Sequence, residues 1–344
     1  MAIKLLAQED MHRWNDFVRS SPQAHCYHQG EWKAIIEKSF GKKTFYLFSE
    51  GPEGTIDGIL PMVHLQSLFF GNFFVSLPYF NYGGLCARRD SVADELVSAS
   101  IEVARAEKAS HIEFRHKEDL LAALPSKKAK VSMYLELPSR KEELWERLPS
   151  KVRSQVRRPL KEGMYARMGT LEELDGFYRV FSRNMRDLGT PVYAKAFFRN
   201  ILEAFADTSW ICTVYTKEQM PVASGFLIGF RDAMEIPWAS SLRSHNRFGP
   251  NMLLYWKCLE FACERGFAVF DFGRSTPGEG TYHFKKQWGA EPRQLYWHYW
   301  LKDRGPLPEI NPDNPKYKRA IDMWKRLPVA LTNAIGPLIV RNLP

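Results

Sequence analysis

The feature that most limits what this chain can fold into is an internal repeat. Residues 101–115 run without a gap against residues 259–273, an offset of 158 positions. Each copy reads as the end of an apolar-periodic helix, a break, and a short strand closing on an acid and a Phe. Those strands are His111-Ile112-Glu113-Phe114-Arg115 and Val269-Phe270-Asp271-Phe272-Gly273. Upstream, residues 76–80 and 235–239 form a second pair of similar phrases at nearly the same offset. Identity between the copies is low, so the shared order of elements is the stronger evidence that one supersecondary plan occurs twice.

Periodicity gives the same series in both halves. In the second half it predicts a strand over 164–168, helices over 171–187 and 194–205, and strands over 210–215, 221–230 and 233–240. A helix over 251–265 follows, stopped by Gly266, then a strand over 267–272, a Gly-rich loop, a short helix over 282–288 and an aromatic strand over 295–301. The first half starts with a strand over 3–6, helices over 11–20 and 30–40, and strands over 44–48 and 56–65, and continues to a strand over 131–137. Strand, two helices, three antiparallel strands, helix, strand, helix, strand is the order of the GNAT acyltransferase fold. The fold class expected is therefore α/β (α+β), with two tandem GNAT-like domains of mixed sheet flanked by helices. The domains are read as 1–140 and 141–302, followed by a tail over 303–344. The parallel step across the central helix should open a wedge between two strands, a natural place for a ligand.

Length and composition agree with two domains of roughly 150 residues. The net charge of +9 favours anionic partners: a nucleotide- or lipid-linked substrate, CoA, nucleic acid or an acidic membrane surface. Cys26, Cys86, Cys212, Cys258 and Cys263 are scattered and form no metal-ligand spacing, which points to a reducing cytoplasm with neither zinc nor a disulfide framework. No uncharged run reaches the ~18 residues of a membrane span, and the N-terminus lacks a signal-peptide core. The tail mixes Lys316, Lys318, Arg319, Lys325 and Arg326 with Ile321, Met323, Trp324, Leu327 and Leu331. Such a basic amphipathic pattern suits a helix docked on the body, or peripheral contact with the inner membrane surface.

Further motifs carry a resemblance. They are Gly249-Pro250-Asn251, Leu254-Tyr255-Trp256, Phe270-Asp271-Phe272-Gly273-Arg274-Ser275, and the run from Gly280 to Gly289 that contains Tyr282-His283-Phe284-Lys285-Lys286. Gln29-Gly30-Glu31-Trp32 and residues 76–84 join them. Over nearly its whole length the chain resembles the FemAB-like family of the GNAT superfamily (BioF2-like acetyltransferase domain), particularly its PEP-CTERM/exosortase-associated branch. That resemblance implies two GNAT-like domains and transfer of an aminoacyl or acyl group to an amine on a cell-envelope or exopolysaccharide precursor. The donor would be aminoacyl-tRNA, acyl-CoA or an acyl carrier, with no tightly bound cofactor. Phe284 and Lys285 then occupy the family's Phe-Lys motif, whose lysine is implicated in catalysis, and Trp32 is taken as substrate-binding. No long heptad insertion for a coiled-coil arm is present, and the first repeat lacks a Phe-Lys counterpart.

Amide formation from an activated ester needs a neutral amine, a proton acceptor and positive charge near the developing oxyanion. Lys285 is the candidate for that charge, Asp271 for orienting the amine or taking its proton, and Tyr282 for a hydroxyl on the oxyanion or leaving group. Arg274 and Lys286 are candidates for phosphate or carboxylate contact. Asp271 can alternatively bond to local backbone in a sharp turn, and His283 has no visible carboxylate partner. Arg247 precedes the central helix where a CoA pyrophosphate cradle would lie, but only one glycine remains there and Pro250 has no N–H. Arg153, Arg157 and Lys161 share a helical face that is either an anion-binding ridge or a solvated surface. Tyr79, Asn81, Tyr82 and Trp238 are read as acceptor-groove residues or as core. A non-catalytic module binding polysaccharide or nucleic acid stays open as the alternative from another class.

Overall fold

A computed structural model describes residues 2–303, 305–308 and 315–344. Residues 304 and 309–314, within the segment read as tail, and the side chains of Lys316 and Tyr317 lie outside the described residues. In the first half β1 (Ala2–Leu5), α1 (Met11–Ser20) and α2 (Glu31–Phe40) lead to β2 (Thr44–Glu50), β3 (Ile56–Ser67), β4 (Gly71–Val75) and β5 (Cys86–Ala87). Then α3 (Asp90–Ala106) crosses to β6 (His111–His116), followed by β7 (Ser126–Lys127) and β8 (Val131–Glu136). The second half comprises α4 (Lys141–Arg147), α5 (Ser150–Lys161), β9 (Tyr165–Gly169), α6 (Leu174–Leu188), α7 (Lys195–Ala204), β10 (Ser209–Tyr215), β11 (Pro221–Phe230) and β12 (Ala233–Ser241). It continues with α8 (Pro250–Glu264), β13 (Val269–Ser275), α9 (Gly280–Lys286), β14 (Glu291–Gln294) and β15 (Tyr296–Leu301), and the chain ends with α10 (Pro315–Trp324) and α11 (Val329–Val340).

Local chemistry explains these boundaries. On α6 the buried Leu174, Phe177, Val180 and Phe181 recur at helical spacing, and the helix stops at Gly189, whose φ of +80° suits a residue without Cβ. Helix α8 is apolar on nearly every side because both its faces are covered, and Gly266 (φ +79°) stops the chain after it. All five cysteines are free and buried. No helix among the described residues is long and apolar enough to cross a membrane.

The chain forms two compact units. The first takes the chain to Lys130, the segment beginning at Gln294, and Arg341–Pro344; its sheet runs β1-β2-β3-β4-β6-β15-β7, with β5 on β3. The second takes Val131–Arg293 and the terminal helices to Val340; its sheet runs β14-β8-β13-β12-β11-β10-β9. This differs from a division at residue 140. Strand β8, read with the first half, pairs antiparallel with β13, and β15, read with the second, pairs antiparallel with β6. Each halfway strand, β6 or β13, has a parallel neighbour on one side and would otherwise present an open edge on the other. The chain covers each edge with a strand taken from the opposite half of the sequence.

Both parallel steps are short. Strands β4 and β6 pair only at Phe74↔Ile112 and Val75↔Glu113, and β12 and β13 only at Ala233↔Val269, Met234↔Phe270 and Glu235↔Asp271. Beyond these rungs the strands separate, and Pro237, two residues past the last pair, has no N–H with which to extend the ladder. The tail is not a separate body: α11 packs on α6, Trp324 is buried, and a Cβ on Gly336 would lie 2.9 Å from the backbone nitrogen of Val192.

Residues 1–130 expressed alone should show no cooperative unfolding transition, because β6 then lacks β15. Joining residues 294–303 to that fragment through a short linker should restore one, as measured by differential scanning calorimetry. Equal transitions in both fragments would contradict the exchange.

Candidate functional site

The end of the parallel step in the second unit gathers three buried ionisable groups. Glu235 and Asp271 face one another at the last rung, and Lys285 comes up from α9; their relative exposures are 3%, 2% and 7%. Strand β13 bulges there. Against β8, Asp271 pairs with Tyr134 and Arg274 with Ser132, so one extra residue is accommodated, and Gly273 sits at φ +74°. Asp271 braces the bulge, its Oδ1 accepting the Ser132 hydroxyl at 2.7 Å and the Gly273 N–H at 2.8 Å. The bulge turns two carbonyls toward α9, and the Lys285 ammonium donates to both, Gly273 O at 2.9 Å and Arg274 O at 2.8 Å. Two of the three ammonium N–H groups are thus committed to backbone.

Phe284 sets this placement. Its ring stands edge-on to Tyr255 at 5.0 Å and near Trp288 at 6.4 Å, so the last turn of α9 is anchored in the core and the next side chain points under β13. Burial lowers the Lys285 pKa to about 8; Asp271 and Glu235 pull it back up, and Arg274 opposes them. The cluster therefore holds an ammonium that titrates near neutral pH, in a nearly water-free place where its field is strong.

The other proposed residues divide around it. Tyr282 is half-buried on the same helix, while His283 and Lys286 are exposed, the ammonium of Lys286 lying 6.0 Å from the Tyr282 ring. Arg274 presents an exposed side chain next to the carbonyl that Lys285 grips. Arg247 is exposed above the Phe248 ring, and Arg157 lies exposed over Trp145. Trp238 is buried in an aromatic cluster with Phe197, Phe198 and Phe226, away from the surface. Tyr79, Asn81, Tyr82 and Trp32 belong to the first unit. There the Tyr79 hydroxyl donates to Arg341 O, the Asn81 carbonyl accepts the Trp297 indole N–H, and Tyr82 is buried under Lys117. Trp32 has no exposed surface, and its indole N–H donates to Cys26 O.

The start of α8 makes a poor phosphate cradle. Gly249 N–H is already bonded to Asn246 O, Pro250 has none, and a Cβ on Gly249 would lie 3.7 Å from the Gln155 carbonyl of α5. A feature the sequence reading missed lies elsewhere in the second unit. A cavity of about 410 Å³ between α6, α7 and α11 is lined by Arg179, Arg183, Lys195, Tyr178, Asp175 and Asn333, among others. The signal was present as Arg179 and Arg183, four apart on one face of α6.

The first unit carries the same wedge differently furnished. Glu113, equivalent to Asp271, accepts Arg115 Nε at 2.6 Å and the Tyr299 hydroxyl at 2.6 Å. Burial pushes the Glu113 carboxyl up, but Arg115 and Tyr299 outweigh it and hold its pKa below the usual value. Arg115 falls at the position of Gly273 in the repeat, so the counter-charge comes from the strand itself. Farther along β6, Leu85 N–H donates to His116 Nε2; neutral His116 then donates through Nδ1 to His298, and His298 through Nε2 to Asp119. Among the described residues no group of three or more His, Cys, Asp or Glu is arranged to hold a metal ion.

Residues 150–286 match the acetyltransferase (GNAT) domain family. This stretch contains the whole Lys285 cluster except Ser132. A crystal structure of FemX superposes with a TM-score of 0.66 at 15% identity, covering 86% of this chain and 97% of that one. L-PGS from Bacillus licheniformis gives a TM-score of 0.58 at 12% identity, over 94% and 99% of the two chains. A tandem GNAT protein from the clavulanic acid biosynthesis pathway gives 0.57 at 12% identity, over 89% and 99%. No curated protein sequence matches the chain significantly. The second half is therefore similar to the GNAT domain family, and the chain has the duplicated GNAT fold of these structures.

Because Lys285 titrates near 8 when folded and near 10.5 when unfolded, the unfolded chain binds more protons between those values. The buried charge costs stability below about pH 8, and that cost disappears as pH rises toward 10.5. The melting temperature of the protein relative to Lys285→Met should therefore climb between those two pH values in differential scanning fluorimetry. A flat difference would mean that the ammonium is solvated.

Proposed function

For a chain built on two GNAT-type domains, we propose an N-acyltransferase that moves an activated aminoacyl or acyl group onto the amine of an anionic, sugar-containing or cell-envelope acceptor. The observation that carries this reading is the buried Lys285 ammonium at the point where β12 and β13 separate. Two of its N–H groups grip the bulge, and the third is available to the acyl oxygen. As the acceptor amine attacks the ester carbonyl, negative charge gathers on that oxygen, and a cation already fixed in a dry site stabilises it without reorganising. Asp271 positions the cation by bracing the bulge, and together with Glu235 keeps it protonated near neutral pH. When the tetrahedral adduct collapses the ester C–O bond breaks, the proton given up by the amine nitrogen ends on the leaving oxygen, and the Tyr282 hydroxyl relays it by donating to that oxygen and accepting from the amine.

Arg274 and Lys286, exposed beside the cluster, suit phosphate or carboxylate groups of a substrate. The cavity lined by Arg179 and Arg183, with Lys195 paired to Asp175 in its lining, favours an anionic acceptor for the same reason. The missing donors at Gly249 and Pro250 argue against a donor held by its pyrophosphate at the start of α8, and so favour an aminoacyl ester such as aminoacyl-tRNA over CoA. A thermal-shift screen against CoA thioesters, aminoacyl-tRNA and nucleotide-sugars would identify the pair of substrates, since a ligand of the native state raises its apparent stability. Tight CoA binding lost in Arg247→Ala would reverse the choice of donor.

With substrates in hand, Lys285→Ala should lower kcat by roughly 10²–10³-fold, the usual loss for one oxyanion donor, with little change in acceptor binding. The wild-type kcat should fall as pH rises through about 8, where the ammonium loses its proton. Unaltered turnover in Lys285→Ala would remove the lysine from the mechanism.

A further inference from the structure

The hairpin joining β3 to β4 breaks the usual chemistry of tight turns. Its tip is Ser67-Leu68-Phe69-Phe70-Gly71, where glycine, asparagine, aspartate or serine would be ordinary. The turn is well formed: Ser67 pairs with Gly71, Phe70 N–H donates to Ser67 Oγ at 2.9 Å, and Gly71 takes φ +89°. Yet Leu68 is 100% exposed and Phe69 91% exposed, the two most exposed large apolar side chains among the described residues. A single exposed leucine means little, but two adjacent ones at the apex of a rigid hairpin are a local departure without structural benefit.

The surroundings of the tip are basic on both arms. Lys42 donates to Gln66 O at 3.4 Å on the outgoing strand and to Asn342 Oδ1 at 2.7 Å, and the charge of Arg341 is near enough to depress its pKa further after burial has lowered it. On the returning strand Asn72 Nδ2 donates to Lys108 O at 3.1 Å and to Glu107 O at 2.9 Å. Glu107, whose carbonyl accepts from Asn72, is faced by Lys43 at 3.8 Å and by His64 at 3.6 Å. An apolar tip set beyond Lys42, with Arg341 near that lysine and the exposed Lys108 joined through its backbone to the returning strand, has the layering of a bilayer surface, acyl chains at depth and phosphates above.

We propose that this hairpin is a membrane anchor: Leu68 and Phe69 insert into the interfacial layer of a bilayer while the surrounding cations contact anionic headgroups. The proposal is independent of the acyltransferase reading. It also differs from contact through the basic tail, whose Trp324 is buried and whose α11 is packed on α6. A bilayer fits better than a protein partner because the apolar tip is only two side chains at the apex of a turn, with cations beside it.

The full chain should co-sediment with phosphatidylcholine vesicles containing 30% phosphatidylglycerol (about one lipid in three, enough for a negative surface) and much less with phosphatidylcholine alone. Leu68→Ser combined with Phe69→Ser should weaken partition at least tenfold, with circular dichroism and melting temperature unchanged because neither side chain is packed. Lys42→Glu combined with Lys108→Glu should weaken it as well and remove its dependence on salt. Equal partition of the wild type and the tip variant would overturn the proposal. So would a wild type that ignores vesicles but self-associates through the tip, with the variant monomeric in sedimentation velocity, which would assign the hairpin to a second copy of the chain.

Discussion

The hydrogen bonds from one ammonium to two adjacent carbonyls, Gly273 O and Arg274 O, fix the geometry on which the second unit depends. A strand ordinarily turns successive carbonyls to opposite sides. Here they converge because Gly273 adopts a left-handed conformation inside a bulge, and the bulge exists because Asp271 ties it to Ser132 and to the Gly273 N–H. Replacing glycine would strain the backbone, and replacing the aspartate would leave the Ser132 hydroxyl without that acceptor. The lysine is thus both a charge in the site and the peg that holds the strand beside it.

Comparing the two repeats separates fold from chemistry. Both end their parallel step on a buried acid, Glu113 or Asp271. In the first, Arg115 and Tyr299 satisfy that acid from within the sheet, leaving a closed network of ordinary structural ion pairing. In the second, the equivalent strand position is glycine, and the cation arrives on a separate helix. The Lys285 cation reaches its acid from another element, whereas Arg115 lies on the same strand as Glu113 and is held between it and the Phe80 carbonyl. The wedge is a property of the fold, and its use depends on which element supplies the countercharge.

Much of this was legible in the sequence. Helix and strand positions followed from apolar periodicity, with boundaries mostly within a residue or two, as at α1, β11 and β12. The repeat located the two buried acids, and the Phe284-Lys285 pair was evident as a motif. The partners of β8 and β15 were not legible, because periodicity tells which face of a strand is apolar but not which neighbour it bonds. For the same reason Trp238 reads equally as a groove residue or as core: an aromatic near a motif has the same sequence signature whether it lines a surface or fills an interior. The bulge at Gly273 left a trace only in hindsight, a glycine between an acid and an arginine in an otherwise apolar strand.

The exchange of β8 and β15 also orders events in time. The first sheet cannot close until residues beyond 296 have been made, although most of it is synthesised first. The second unit, complete in its sheet by Gln294, is inserted into the first and stands ready to fold while the earlier one still waits for its last internal strand. During synthesis the N-terminal half is therefore the late partner, holding an unpaired β6 edge that chaperones, or premature release from the ribosome, would meet exposed.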